Sequence, residues 1–442
     1  MDLIPSADQV VSAAANAVQK IVSGGWADLR AMPRTLVYQG PRRRLYRYDP
    51  ADVASQGDPV LLLPSLAAPA RAYDLRRGGS LVQHLVEQGR PTYLVEYDEV
   101  SLKDRTLGLE HWVDDLLPST VRAASEHVGG RPVHLVGWSL GGLFALLTAA
   151  DPTRLPIASV TALGAPLDVL DVPLLAPARP LLDLTGGQGL LARALASVTG
   201  SPTVRWALQL STVQRLVTDP VAIGLRLDDT EFLAQVEAVG AFQAGMTAYP
   251  GRSYGQLFHR FVRNNALVGG SIELDGRTVA LADVEVPVLV VGGATDGIAP
   301  MAAVRAVLPL LTGSPEVRFE IVTGGHLGLL TGRAAQESTW VVLDEWVDEW
   351  SGGEVAPARA VKAPTAKRAP AKKAAARKSP TKKTASSRAG TKQTAAKKTA
   401  AKKTAAKKVG TKKAPAKKAA AEEIGTNPER RYGSAGSRSL SR

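Results

Sequence analysis

A serine set between glycines is the first feature of this sequence that could carry out chemistry. Ser139 lies in GWSLG, residues 137–141, which matches the pattern G-x-S-x-G. An apolar run at residues 133–136 precedes it, and small and apolar residues follow it as far as Ala150. This order predicts a strand, a sharp turn and a helix, with the serine hydroxyl raised above a sheet as a nucleophile. The alternative is a glycine-rich helix start at which Ser139 only caps the helix.

A serine hydroxyl becomes a good nucleophile only when a base removes its proton. Of the six histidines, His326 alone lies in a glycine-rich loop directly after a predicted strand, residues 317–322. The acid that orients the base should follow another strand, and Asp296 is the only carboxylate in the loop after residues 286–291. Its alternative role is a turn-forming Asp-Gly pair. We expect the other five histidines to be packing or surface residues.

The chain order Ser139, Asp296, His326 is the order of the α/β-hydrolase triad. We therefore expect Ser139 to attack a carbonyl carbon, His326 to act as base and Asp296 to orient the imidazole. Two backbone N–H groups should form an oxyanion hole. One belongs to Leu140, and for the other we choose Leu66, with Ser65 second, in the loop after the first strand. This chemistry implies no metal and no prosthetic group.

Short apolar runs alternate with helical segments, which predicts a mostly parallel sheet with helices on both faces. The rhythm breaks between about residues 166 and 285, which we interpret as a helical cap inserted over the carboxyl ends of the strands. The predicted strands are 59–63, 92–96, 133–137, 158–163, 286–291 and 317–322, and the predicted long helices are 109–126, 140–150 and 337–350.

Three segments differ in composition. Residues 1–32 predict an N-terminal helical segment, because Val10, Val11, Val18, Ile21 and Val22 recur at helical spacing. We expect this helix to pack on the body, the alternative being a helix on a lipid surface. The α/β-hydrolase domain should span residues 33–353, and a disordered Lys/Ala-rich tail should span residues 354–442.

The tail is a polycation. Residues 355–442 hold 26 basic and three acidic side chains, whereas residues 1–354 hold 28 and 38. A Thr-Ala-Ala-Lys-Lys unit repeats over residues 394–408, and so little apolar surface cannot form a core. Evenly spaced lysines without aromatic residues favour phosphate contacts without base readout. We expect the tail to bind DNA, with RNA, polyphosphate or an anionic membrane as other polyanions and a merely solubilising tail as the alternative. The lysines of the repeat are Lys397, Lys398, Lys402, Lys403, Lys407 and Lys408.

Composition excludes several classes of protein. With no cysteine, the chain has no disulfide framework, no Cys-ligated metal site and no cysteine nucleophile. No apolar run reaches the ~18 residues of a membrane-spanning helix, and the start of the chain predicts no secretory signal. We therefore expect a cytoplasmic protein, with association to the nucleoid or to a lipid or polymer granule as a further expectation.

With these residues in place, the segment from about Leu36 to Trp350 resembles the polyhydroxyalkanoate synthases within the α/β-hydrolases. The resemblance implies that Ser139, Asp296 and His326 occupy the triad positions and that residues 166–285 form a cap over an acyl channel. The tail resembles the Lys/Ala/Pro tails of linker histones. The segments that carry the synthase resemblance are 73–76 with 80–82, 249–254, 264–270, and 274–279 leading into 286–289.

The sequence departs from that family at two positions. The synthases carry cysteine in the elbow, where this chain has Ser139, and usually histidine after the triad Asp, where it has Gly297. A serine ester suits transfer to water or an alcohol better than repeated exchange between thioesters. We therefore expect an acyl hydrolase or acyltransferase acting on acyl esters or acyl-CoA thioesters. The alternatives are a synthase that uses serine and a non-catalytic granule or nucleoid linker.

Overall fold

The computed structural model describes residues 11–16, 18, 20, 24–48, 57–99, 101–172, 223–224, 226–247, 249 and 251–352. The chain divides into a unit of residues 1–364 and a unit of residues 365–442, and every described residue lies in the first. The predicted tail, its six repeat lysines and residues 173–222 of the predicted cap lie outside the described residues. The three predicted domain bounds stay predictions.

Within the described residues, eight strands form one sheet in the order β1-β2-β4-β3-β5-β6-β9-β10. Every neighbouring pair from β4 to β10 is parallel, and β2 is antiparallel to both β1 and β4. A separate antiparallel hairpin pairs β7 with β8. The strands are β1 Thr35–Gly40, β2 Arg43–Tyr48, β3 Val60–Leu63, β4 Thr92–Tyr97, β5 Val133–Trp138, β6 Ile157–Leu163, β7 Ser271–Leu274, β8 Arg277–Ala280, β9 Val288–Gly293 and β10 Val317–Val322.

The helices lie on both faces of the sheet, because the central parallel strands are apolar on both sides. Leu61 and Leu63 of β3 pack into one core together with Leu143 and Phe144, whereas Leu62 packs into the other core. The α-helices are α1 Leu81–Glu87, α2 Leu117–His127, α3 Leu140–Ala149, α4 Thr230–Ala244, α5 Gly251–Gln256, α6 Met301–Arg305, α7 Arg333–Glu337 and α8 Thr339–Trp350. Two π-helical segments, His111–Leu116 and Leu257–Arg263, precede α2 and follow α5. Short 3-10 turns are Ala70–Ala72, Leu102–Asp104, Val169–Asp171, Ala266–Gly269, Leu281–Asp283, Leu308–Leu310 and Leu327–Leu329.

The predicted fold class is confirmed. All six predicted strands and all three long helices are present, and the strand bounds agree within two residues. Strands β1 and β2 were not predicted. The β7–β8 hairpin was not predicted either, and it lies inside residues 166–285, the stretch predicted as a helical cap. That hairpin turns at Asp275-Gly276, both at positive φ (46° and 80°), which is the Asp-Gly signal of a tight two-residue turn.

The N-terminal segment packs differently from the prediction. Residues 11–16 are helical, but Val11 and Val18 of the expected apolar face are exposed. The contacts instead come from Asn16, whose side-chain amide donates to the Leu227 carbonyl, and from Trp26, whose backbone N–H donates to the Glu237 carboxylate of α4. Val10, Ile21 and Val22 lie outside the described residues.

A buried polar cluster joins the sheet to the last helix. His134 of β5 is hydrogen-bonded to Ser159 of β6 (2.8 Å) and to Ser351 (3.2 Å), and the Trp346 indole donates to the same Ser159 hydroxyl (3.0 Å). The expected packing role of His134 is confirmed, since it is 1% exposed. Burial lowers the pKa of His134 from 6.5 to about 4.

This lowered pKa predicts an acid-sensitive fold. Between pH 6.5 and 4 the unfolded chain binds a proton at His134 that the folded chain does not, so the free energy of unfolding should fall as the pH falls through this window. We expect the free energy of unfolding to fall by about 2–3 kcal/mol less in His134→Gln than in the wild type over this pH window. Urea unfolding of both proteins at pH 7 and pH 4.5 measures it, and equal losses in the two proteins would contradict the prediction.

Candidate active site

Ser139 lies in a strained turn between β5 and α3. Its backbone has φ 57° and ψ −124°, a conformation that a residue with a Cβ adopts only when its surroundings impose it. The Ser139 N–H donates to the Leu163 carbonyl at the end of β6 (2.8 Å). Its side chain makes no capping bond to α3, so the helix-cap alternative receives no support.

The elbow glycines allow backbone segments to touch. A Cβ on Gly141 would lie 2.2 Å from the Leu63 carbonyl oxygen, and one on Gly137 would lie 2.4 Å from the Gly141 carbonyl oxygen. Any side chain at either position would therefore clash with the backbone. Because Gly141 has no side chain, the start of α3 can lie directly against the loop that follows β3.

His326 and Asp296 form a buried hydrogen-bonded pair. His326 Nδ1 and Asp296 Oδ2 are 2.8 Å apart, and the side chains are 5% and 0% exposed. The other carboxylate oxygen, Oδ1, accepts from the Ile298 and Ala299 N–H groups at 2.8 Å each. Asp296 therefore stabilises its own turn with one oxygen and holds the histidine with the other.

Two residues beside this pair were missed by the sequence analysis. The Trp138 indole N–H donates to the His326 carbonyl (2.9 Å), and the two rings lie 4.9 Å apart. Gly164 has φ 54°, and a Cβ there would lie 3.2 Å from Asp296 Oδ2 and 3.3 Å from His326 Nδ1. The available signals were a tryptophan next to the predicted nucleophile and a glycine directly after a predicted strand.

The loop after β3 holds the two candidates for the second oxyanion donor. Leu66 and Ser65 are both buried, and the Ala68 N–H donates to the Ser65 carbonyl to close a turn. Burial raises the pKa of the nearby Tyr249 to about 12. Along the described chain, no protein acceptor receives the N–H of Leu140 or of Leu66. The Ser65 N–H likewise has no acceptor among the described residues, so Leu140, Leu66 and Ser65 all stay candidates for the oxyanion donors.

The other histidines lie elsewhere in the fold. His84 of α1 is hydrogen-bonded to Asp344 of α8 (2.6 Å), but these side chains are 20% and 24% exposed. His127 is hydrogen-bonded to the Tyr93 hydroxyl, His111 lies near Asp115, and His259 is exposed. Among the described residues, no group of three or more His, Asp or Glu side chains is arranged to hold a metal ion.

The comparison with protein families agrees with this geometry. A family model described as "alpha/beta hydrolase fold" matches residues 58–333, which is more than half of the chain. The chain belongs to the α/β-hydrolase fold family. It is therefore an enzyme of hydrolase or acyltransferase type, as expected.

Within the α/β-hydrolases, this chain is similar to proteins named poly(3-hydroxyalkanoate) polymerase subunit PhaC. The protein from Allochromatium vinosum is 26% identical over 340 residues, which cover 75% of this chain and 93% of that protein. The Cupriavidus necator protein is 27% identical over 72% of this chain and 55% of its own length. The expected synthase resemblance is confirmed.

Solved structures of other α/β-hydrolases also match. A carboxyl esterase from Bacillus coagulans is 16% identical over 72% of this chain and 99% of its own, with a TM-score of 0.47. None of the helices in the described ranges is long and apolar enough to cross a membrane.

The position of Gly164 leads to a prediction about this α/β-hydrolase. We expect Gly164→Ala to lower kcat for a p-nitrophenyl ester by about 100-fold, because the methyl group would lie 2.7 Å from Leu329 Cδ1 and within 3.3 Å of Asp296 Oδ2 and His326 Nδ1, so that these side chains must shift. Gly129→Ala is the matched control, since Gly129 also has positive φ (79°) but nothing within 4 Å of an added Cβ. Equal activity of the two variants would contradict the steric explanation.

Proposed function

We propose that this chain is a serine-dependent acyl-transfer enzyme with Ser139, His326 and Asp296 as its catalytic triad. The hydrogen bond between His326 Nδ1 and Asp296 Oδ2, beside the strained serine elbow, is the observation that carries the proposal. The substrate class is an acyl ester or an acyl-CoA thioester, supported by the names of the polymerase relatives and by the elbow chemistry.

The first half of the reaction forms an acyl-serine. The Asp296 carboxylate accepts a hydrogen bond from Nδ1–H of His326, which leaves Nε2 as the base. Nε2 takes the Ser139 hydroxyl proton while Oγ bonds to the acyl carbon, and the carbonyl oxygen becomes an oxyanion. The N–H groups of Leu140 and Leu66 stabilise that charge, and each should lower the barrier by ~3–4 kcal/mol. The intermediate collapses, the bond to the leaving group breaks, and His326 returns the proton to that group.

The second half transfers the acyl group to an acceptor. His326 takes a proton from water or an alcohol while the oxygen of that acceptor attacks the carbonyl carbon of the acyl-serine. The bond from this carbon to Ser139 Oγ then breaks, and His326 returns the proton to Oγ. A serine ester is a weaker acyl donor than a thioester, so a growing chain held on Ser139 would pass to the next monomer more slowly than a chain held on cysteine. This difference favours a hydrolase or an acyltransferase to hydroxyl groups over a polymerase.

Polymer synthesis through serine is the second candidate, because the relatives reported above are named polymerase subunits. It would use the same triad, with the hydroxyl of another 3-hydroxyacyl group as the acceptor. A non-catalytic linker is the third candidate. The presence of Ser139, His326 and Asp296 together argues against a linker, because a scaffold does not need all three groups.

Product analysis separates these candidates. Incubation of the protein with 3-hydroxybutyryl-CoA should release free acid or leave an acyl adduct on Ser139, and Ser139→Ala should abolish both. Ser139→Cys is the informative partner variant, because it restores the nucleophile of the synthases. Mass spectrometry of the products is the measurement.

Oligomeric esters made by the wild-type protein would contradict the preferred function and establish a serine synthase. Oligomers made only by Ser139→Cys would support it, because they would show that the rest of the site tolerates polymerisation. If wild type and Ser139→Ala gave identical products with this substrate and with simple esters, the proposal of a catalytic triad would be wrong.

We also propose that residues 354–442 bind DNA through the phosphate backbone. The support is the sequence: 26 basic side chains against three acidic ones in residues 355–442, with lysine pairs in a five-residue period. Such contacts carry no base readout, so binding should be insensitive to DNA sequence. The same charges would bind RNA or polyphosphate, which are outcomes of the test below.

A chain cut after Gly353 should lose DNA binding, whereas the full chain should bind random duplexes and lose affinity steeply as salt rises. Fluorescence anisotropy at 50 and 200 mM salt measures the DNA affinity. A variant with the six repeat lysines replaced by glutamine should bind less tightly than the full chain and more tightly than the shortened chain. Polyphosphate as a competitor ranks the polyanions. Unchanged binding by the shortened chain would contradict the proposal.

A further inference from the structure

We propose that Trp138 is a positioning residue for His326 and that it links this histidine to helix α4. The inference rests on the proposed function, because it assigns His326 the role of base. Trp138 forms and breaks no bond in the mechanism above, and its contribution is to fix the orientation of the His326 imidazole.

Trp138 fixes both the backbone and the ring of His326. Its indole N–H donates to the His326 carbonyl (2.9 Å), and its ring lies against the imidazole, with centroids 4.9 Å apart and an angle of 40° between the planes. Trp138 is 5% exposed, so water cannot easily take the place of either the indole N–H or the His326 carbonyl in this bond. A single side chain thus restrains the histidine at two points.

The histidine needs this restraint because its own loop is intrinsically flexible. His326 follows Gly324 and Gly325 and lies two residues before Gly328, and Gly324 has φ 130°, a conformation open to glycine. Glycines lose the most backbone entropy on ordering. Tertiary contacts must therefore determine the position of His326, and they come from Trp138 at the end of β5 and from Asp296 in the loop after β9.

Helix α4 also contacts the indole of Trp138. Phe242 of α4 meets Trp138 edge to face, with centroids 6.1 Å apart, and both rings are buried. Directly after α4, the Thr247 N–H donates to the Ala67 carbonyl in the loop that holds Leu66 (3.0 Å). One end of α4 therefore contacts the support of the base and the loop of the oxyanion donor, so a shift of α4 would alter both.

The fold contains a matched arrangement that can serve as a control. Trp340 lies 4.8 Å from the ring of His84, donates its indole N–H to the Leu330 carbonyl (3.1 Å), and His84 is hydrogen-bonded to Asp344. The chemical groups are the same as at Trp138, but no serine elbow adjoins them. Trp340→Phe therefore removes an indole bond of similar length that ends at Leu330, four residues after His326, and not at the His326 carbonyl.

Trp138→Phe tests the inference by removing the indole N–H. We expect kcat for a p-nitrophenyl ester to fall by about 100-fold with KM little changed, and Trp340→Phe to keep wild-type kcat. Replacing Trp138 by benzothienylalanine, which has sulfur in place of the N–H, keeps the ring size and should give the same direction of change even if Trp138→Phe folds poorly. Phe242→Leu should lower kcat less than either.

A proton NMR spectrum provides a readout independent of turnover. The low-field imidazole proton shared by His326 and Asp296, assigned by its loss in Asp296→Asn, should broaden or shift in Trp138→Phe, while the His84–Asp344 signal stays unchanged. An unchanged His326 signal together with unchanged kcat would overturn the inference while leaving the proposed function intact. A wild-type protein with no Ser139-dependent activity would instead contradict the proposed function, and the NMR signal would still decide the role of Trp138.

Discussion

The hydrogen bond between Asp296 and His326 is the interaction on which the rest of the site depends, and the order of the strands makes it possible. Ser139 follows β5, Asp296 follows β9 and His326 follows β10, while β6 lies between β5 and β9. The residue that follows β6 must therefore carry no side chain that would displace Asp296 or His326. Gly164 is the residue at that point, and its φ of 54° turns the backbone away beside the paired side chains.

A site made from the ends of separate strands needs supports that reach between them. Trp138 provides one, because it sits on β5 next to the serine and bonds to the loop after β10. Gly141 provides another by letting α3 approach the Leu63 carbonyl, which places the helix start beside the loop with Leu66. Burial strengthens these contacts, since a buried polar group without a partner costs about 1–3 kcal/mol.

The sequence was sufficient to predict the parts of the fold whose signals are local. The two-sided apolar strands, the glycine elbow and the residues Asp296 and His326 all stand in short segments that can be interpreted alone. β1 and β2 were missed because alternating Arg and Tyr residues, as in Arg43–Tyr48, carry a weak apolar pattern. Trp138 and Gly164 were missed for another reason. Trp138 matters because it contacts His326, which lies 188 residues later in the chain. Gly164 matters because it lies beside Asp296 and His326, where the ends of β6, β9 and β10 come together.

The most direct test of the proposed acyl-transfer function is active-site labelling with an alkyl fluorophosphonate, followed by peptide mass spectrometry. The fluorophosphonate reacts only with a serine that a neighbouring base activates. We expect one adduct per chain, on Ser139, formed quickly by the wild-type protein and at a rate lower by orders of magnitude in His326→Gln. The proposal would be contradicted if Ser139 stayed unlabelled, or if it were labelled equally fast without the histidine.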